Sequence, residues 1–441
     1  MMNRPIERVV DLVDPAVNRL HNMSVGEARA RVGRGDPEGV RQIDGSFALV
    51  ARDGEAVRLA RSMDRPLRYF LAKRSDGPAL VASDRIDAIR AFLEREGLAG
   101  QFHPSYTRMV PAHHVVEIRL VGCPDPDAGY ARFFTPERAT GPTDPARLGE
   151  RYIGALAEEI GKWLRSLPPS EPIGVCFSGG VDSGAVFLVT YHLLGKLGMN
   201  PGRLKAFTLS LGEGSADLDQ ARRFLDALGL AMFLEPIEAR SDALDPFAAV
   251  AVMEDYKPLD VECAAMALAL CGGIRARYPD WRFLLDGDGG DENLKDYPIE
   301  ENPELTIRSV VNNPLLYQEG WGVGRMKHSL TYSGGQSRSY TRTYAPLRRF
   351  GFTGFSPFTR PGVIEAAEAI PFAELTSGDH ERLYALKGEI VSRGVEAVTG
   401  LRMPVFPKRR FQHGALPAGE LSRRFPFGEA DYRMHFLSLY S

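Results

Sequence analysis

The chain has 441 residues, 44% of them hydrophobic and 25% charged, with a formal net charge of -3. This length exceeds one ordinary core and points to two domains. The near-neutral balance argues against nucleic acid or an anionic membrane as a partner. The four cysteines (Cys123, Cys176, Cys263, Cys271) form no CxxC pair and no metal-ligand spacing, which fits a reduced, cytoplasmic setting. The opening "MMNRPIERVVDLVD" has charges where a secretory signal needs an apolar run. Apolar stretches such as "CAAMALALC" (263–271) fall far short of the ~20 residues that span a bilayer, so no membrane association is expected.

Residues 43–135 read as β-rich. "GSFALVARDG" and "AVRLARSM" flank an Asp-Gly turn at 53–54, a hairpin signature, and "GPALVASD" and "HHVVEIRL" read as further strands. "FTPERATGPTDPARLG" (134–149) is rich in Pro, Gly, Asp and Thr and marks a boundary, giving domains 1–140 and 141–441. Beyond it, strands and helices alternate. A helix is expected over 151–167, then the strand "PIGVCFS", a helix from Asp182, the strand "LKAFTLSL" (204–211) and a helix over 217–229. The strand "AMFLEPIE", helices near 245–254 and 261–277, and a last strand in "WRFLLDGDGG" follow. This alternation predicts an α/β fold, a parallel sheet with helices on both faces. Past residue 300 the reading is mainly helical, with a loop-rich region near 328–345.

The stretch "GVCFSGGVDSGAVFL" (174–188) places a Gly-rich turn between a strand and a helix. A helix N-terminus there offers unpaired backbone N–H groups and the positive end of its dipole to a phosphate. Gly179 and Gly180 permit close backbone approach, and Ser178 and Ser183 add hydroxyl donors. Asp182 would repel phosphate alone, and makes sense as a holder of a divalent cation that bridges to it. The Gly-Lys-Ser/Thr ending of a Walker A loop is absent. The order Ser178-Gly179-Gly180-Val181-Asp182-Ser183 resembles the PP-loop of the ATP pyrophosphatase superfamily, which cleaves ATP between the α- and β-phosphates. The bland alternative is a structural turn with Asp182 as a helix cap.

A second loop, "LLDGDGGDEN" (284–293), carries Asp286, Asp288, Asp291 and Glu292 among three glycines, again after a strand. The EF-hand pattern fails, with Asp291 where its Gly belongs and Tyr297 where its closing Glu belongs. In open α/β sheets, ligands bind at the carboxyl ends of strands, where both loops sit. Asp182 and Asp291 are 109 residues apart. An "SGGxDS" loop followed by "GxGxDE" at about this separation resembles asparagine synthetase and its relatives, the β-lactam and carbapenam synthetases and the lasso-peptide cyclases. The resemblance implies ATP and Mg²⁺ as cofactors, with Asp182 and Asp291 as metal ligands. Ser178–Ser183 and Gly287 would lie on the phosphates, and the segment from Leu209 to Leu211 would face adenine. It places Asp288 where relatives carry Glu or Tyr near the reacting centre. "LYQEGWGVGR" (316–325) points to Glu319 as an acidic dyad member. "MPVFPKRRFQHGAL" (403–416) points to Lys408 as the lysine that stabilises charge on pyrophosphate and the transition state. In "GFTGFSPFTRPGVIEAAEAIP" (351–371), Thr353, Phe355 and Arg360 replace the family's Glu, Arg and Asp, which implies a reshaped acceptor pocket.

"IDGSFALVARDGEAVRLARSMDRPLRYFL" is similar to the second half of the glutaminase domain of asparagine synthetases, an Ntn-hydrolase type. Those glutaminases work through an N-terminal Cys, whereas this sequence reads Met-Met-Asn and its first cysteine is Cys123. The expectation is a degenerate domain without glutamine hydrolysis. The chain therefore reads as an ATP-dependent amide-forming ligase. It would adenylate a small-molecule carboxylate and pass the acyl group to an amine on the same or another molecule, a peptide included, in a specialised biosynthesis. A homodimer is compatible with this reading. The alternatives are a tRNA-thiolation type of PP-loop enzyme, which would favour a basic surface and catalytic cysteines, and a non-catalytic scaffold, which would be expected to lose the loop residues kept here.

Overall fold

The computed structural model describes residues 8–74, 78–119, 128–212, 215–297, 299, 306–312, 340–407 and 420–441. Two compact units emerge: residues 8–135 with 433–441, and residues 136–312 with 341–432.

The first unit holds two four-stranded sheets. One has the order Arg8–Asp11, Ala79–Ser83, Arg68–Ala72, Arg108–Met109; the other has Gly129–Arg132, His114–Arg119, Ala56–Arg61, Ala48–Asp53. The expected hairpin is present: Ala48–Asp53 pairs antiparallel with Ala56–Arg61, and Gly54 takes φ +56° in the turn. Val50, Val57, Leu59, Val116 and Ile118 of one sheet share an apolar core with Tyr69, Leu80 and Ala82 of the other. The helix Ile86–Arg95 packs Ile89, Phe92 and Leu93 against Phe70 and Val81 on the first sheet's other face. The helix Val25–Arg34 lies against Ala48–Asp53, where a Cβ on Gly33 would stand 3.5 Å from that of Ala51. The layers are therefore helix, sheet, sheet, helix.

The second unit is built on a five-stranded, wholly parallel sheet in the order Leu234–Ala239, Leu204–Leu211, Ile173–Cys176, Phe283–Leu285, Thr353–Phe355. The helices Pro145–Arg165, Val181–Lys196, Ala216–Asp226 and His380–Thr399 cover one face. Pro258–Arg277 covers the other, where a Cβ on Gly273 would strike Ile237. Helices on both faces bury each strand twice, which explains the near-continuous apolar runs. One expectation is corrected: the region past 300 also contributes an edge strand, Thr353–Phe355. Three residues carry too little alternation to announce a strand, and its pairing with Phe283–Leu285 is a tertiary choice.

Pro145–Arg165 and His380–Thr399 cross at two glycines. A Cβ on Gly149 would stand 2.7 Å from Gly394 N, and one on Gly394 would collide with the Gly149 carbonyl. Only glycine allows this approach, which brings the inner face of the 380–399 helix down onto the sheet. Gly394→Ala is expected to destabilise the protein by about 1–3 kcal/mol through overpacking, seen as a lower urea midpoint. Gly154 lies in the Pro145–Arg165 helix, and a Cβ there would meet nothing within 4 Å. Gly154→Ala should instead stabilise by about 0.5–1 kcal/mol through helix propensity.

Candidate active site

The first strand in chain order, Ile173–Cys176, is central; later strands are added first on one side and then on the other. The sheet's topological switch point therefore lies between Ile173–Cys176 and Phe283–Leu285, which is where open α/β sheets bind ligands. Both Gly-rich loops leave the carboxyl ends of these two neighbouring strands.

The loops touch through their glycines. Gly179 takes φ +71°, and a Cβ there would stand 2.9 Å from Ala221 N, so the first loop lies tight on the Ala216–Asp226 helix. Gly180 precedes the Val181–Lys196 helix without a side-chain cap, which leaves that N-terminus to whatever binds it. The Ser178 and Ser183 hydroxyls lie 3.3 Å apart, and Gly180 N–H donates to Ser178 Oγ at 3.3 Å. From the second loop, a Cβ on Gly287 would stand 2.9 Å from Ser183 N, and one on Gly290 would collide with the Asp182 carboxylate. Asp182 and the second loop thus share one crevice.

Lys387, on the inner face of the His380–Thr399 helix, closes the arrangement. Its Nζ donates to Asp182 Oδ2 at 2.7 Å and to Asp291 Oδ1, and stands 3.3 Å from Asp296 Oδ2. Three carboxylates surround one ammonium, so the cluster stays negative when all are ionised. Burial alone would lower the lysine's pKa, yet Asp182, Asp291 and Asp296 together hold it well above the usual range. Burial pushes the Asp182 carboxyl up to about 7, with Lys387 pulling the other way. Asp182 Oδ1 is buried and accepts no hydrogen bond among the described residues. This orphaned oxygen beside Asp291 fits a divalent cation. Among the described residues no group of three His, Cys, Asp or Glu could hold a metal. Asp182 and Asp291 are two carboxylates that could hold such a cation, with phosphate and water completing its shell as Mg²⁺ prefers.

The rest of the acidic loop is not a solvated turn. Asp286 accepts from Asp288 N–H at 3.0 Å and from the Ser356 hydroxyl at 2.9 Å, tying the loop to the chain just after the edge strand. Burial pushes the Asp288 carboxyl up to about 6, opposed by Thr343 and Arg342. Arg342 Nε donates to Asp260 Oδ1 at 2.9 Å, and Asp288 and Glu292 add to its negative surroundings.

Of the residues expected from the sequence, Ser178, Gly179, Gly180, Val181, Asp182, Ser183, Gly287, Asp288 and Asp291 come together at this switch point. Leu209 and Leu211 sit at the carboxyl end of the neighbouring strand with their side chains buried at 2% exposure, so only their backbone is left to face a ligand. Glu319 and Lys408 lie outside the described residues. Two of the three departures from the family stretch serve the core: Phe355 stacks on Trp163 at 5.2 Å, and buried Arg360 reaches Glu159. Both side chains are enclosed by the Pro145–Arg165 helix. Sequence reasoning passed over Lys387, Asp260 and Arg342. Lys387 had a signal: it interrupts the apolar stripe Leu383, Leu386, Ile390, Val391, Val395 at helical spacing.

Residues 165–346 match the family model described as asparagine synthase. The match covers both Gly-rich loops and supports an asparagine synthetase-like, ATP-dependent ligase segment within this chain. No curated protein matches the chain.

The raised Asp182 pKa sets a pH test. Protonated Asp182 contributes stability below its ordinary value of 3.8, and this is lost as pH rises through about 7. Mg²⁺ needs the ionised carboxylate, so the gain in melting temperature from millimolar Mg²⁺ should grow between pH 5 and pH 8. Asp182→Asn should flatten that dependence. Equal gains at both pH values in wild type would remove Asp182 from the cation site.

Proposed function

We propose that the second unit is an AMP- and pyrophosphate-forming C–N ligase. It joins a small-molecule carboxylate to an amine, without glutamine hydrolysis, in the synthesis of a specialised metabolite or a modified amino acid or peptide. The observation that carries this reading is the convergence of the two Gly-rich loops on one crevice, with Asp182 and Asp291 sharing Lys387.

ATP enters as a substrate. The Val181–Lys196 N-terminus, the Gly179 and Gly180 backbone and the two serine hydroxyls provide donors for its phosphates. Asp182 and Asp291 would hold Mg²⁺, which supplies charge neutralisation for the phosphates and fixes their orientation. Lys387 adds a positive charge within the same cradle, and Lys408 is the second candidate for that task. The substrate carboxylate attacks the α-phosphorus and pyrophosphate leaves; the amine then attacks the acyl carbon and AMP leaves. Asp288, its carboxyl pushed up to about 6 by burial, takes a proton from the amine, with Glu319 as its proposed partner.

Other observations support parts of this reading. Burial raises the thiol pKa of Cys176, Cys263 and Cys271, Cys263 to about 12, so none offers the thiolate that a thiolation enzyme needs. The helix–sheet–sheet–helix layering of the first unit supports an Ntn-type domain. A cytoplasmic setting agrees with free thiols and with the absence of a membrane-length apolar helix among the described residues.

Phosphorus NMR of ATP turnover with a panel of carboxylic acids tests the chemistry. AMP and pyrophosphate are expected; ADP and phosphate would overturn the ligase reading. Asp182→Ala should reduce turnover at least about a hundredfold, the scale of losing preorganised charge stabilisation. Asp288→Asn should keep adenylation and slow amide formation alone.

A further inference from the structure

Lys387 occupies the oxygens that a divalent cation needs. Its Nζ donates to Asp182 Oδ2 at 2.7 Å and to Asp291 Oδ1, on the two carboxylates that fit such a cation. A third carboxylate, Asp296, stands off at 3.3 Å. An ammonium has three donors, so the longest of these contacts is the one it can still tighten. When all are ionised, the four side chains keep two negative charges, which one divalent cation cancels.

The three acids differ in access. The side chain of Asp291 is 40% exposed, that of Asp182 19% and that of Asp296 7%. A cation arriving from solvent therefore meets Asp291 first and Asp296 last. Asp296 is also held in place. Its N–H donates to the Asp291 carbonyl at 2.9 Å. On one side of it, Lys295 is buried in an ion pair with Glu368. On the other, the Tyr297 carbonyl accepts from the Tyr384 hydroxyl at 2.8 Å. Tyr384 lies about one turn before Lys387 on the His380–Thr399 helix, so the same helix carries the lysine and anchors the segment of Asp296. The carboxylate is fixed, and the long, flexible lysine stem is the part that can move.

Two cations at close range on the same pair of carboxylate oxygens repel each other strongly. We propose that Lys387 is a stand-in cation. It holds Asp182 and Asp291 together while the site is free of metal, and it withdraws to Asp296 when a divalent cation takes those oxygens. Asp296 is a positioning residue for Lys387 and not a metal ligand. This rests on the cation site proposed at Asp182 and Asp291, and adds how that site is kept assembled and then yielded. Without the lysine, the carboxylates would repel each other in the empty crevice. Without Asp296, the lysine would have no second anion to receive it.

Titration with Mn²⁺, the free ion measured by electron paramagnetic resonance, tests this on the full chain at about pH 8 without nucleotide. Lys387→Met removes the competitor and should tighten Mn²⁺ binding at least about threefold, a sign that structural damage does not give. Asp296→Asn removes the receiving anion and should loosen binding several-fold. In the Lys387→Met background the same Asp296→Asn change should have a smaller effect, because no lysine is left to receive. Unchanged or weaker binding by Lys387→Met at an unaltered melting temperature would overturn the proposal. So would an Asp296→Asn effect equal or larger in the Lys387→Met background, since Asp296 would then act only through its charge. Should Lys387→Met fail to fold, Lys387→Gln keeps a donor for the carboxylates and carries the same expected signs. Asp182→Ala tests the cation site by itself: an Mn²⁺ affinity equal to that of wild type would remove that site, whatever Lys387 does.

Discussion

The ion cluster of Lys387 with Asp182, Asp291 and Asp296 is the constraint on which the site depends. It joins three parts of the chain that share no local sequence: the first loop, the second loop and the long 380–399 helix. Like-charged carboxylates drawn into one buried crevice repel each other, and the ammonium between them makes their approach tolerable. The lysine remains because the carboxylates surround it; the carboxylates remain because the glycines at 287 and 290 let the loops close. The crevice is built with a protein cation already inside it.

The same crevice shows how one loop serves two tasks. Asp291 meets Lys387, which also holds Asp182, while Thr343 and Arg342 oppose the burial of Asp288. Gly289, with φ +98°, turns the chain between them. Asp286 pins the loop by accepting from Asp288 N–H and the Ser356 hydroxyl, so the loop's direction is tied to the edge strand. The edge strand therefore matters for the site although its own Phe355 points into the core against Trp163.

Much of this was legible in the residues. Strand–glycine–helix transitions are local events, so "SGGVDS" and "GDGGDE" announced their backbone geometry and donor chemistry without any tertiary information. The parallel sheet was legible because strands buried on both faces leave continuous apolar runs between amphipathic helices. The edge strand Thr353–Phe355 was not, because three residues without alternation acquire strand geometry from the neighbour they pair with. The inward turn of Phe355 and Arg360 was not legible for a similar reason. A position in a motif does not say which way its side chain turns, and the Pro145–Arg165 helix drew both inward.

Composition and local motifs were enough to establish two domains' worth of chain, a doubly covered sheet and two oxygen-rich loops at strand ends, since each follows from neighbours within about ten residues. Which distant groups meet at those loops was settled by packing. Lys387 reaches Asp182 across 205 residues only because two helices can cross at Gly149 and Gly394. Arg342 reaches Asp260 across 82 residues by folding back over the sheet's other face. Long-range electrostatics of this kind depends on distances in space, and spacing along the chain carries no record of them.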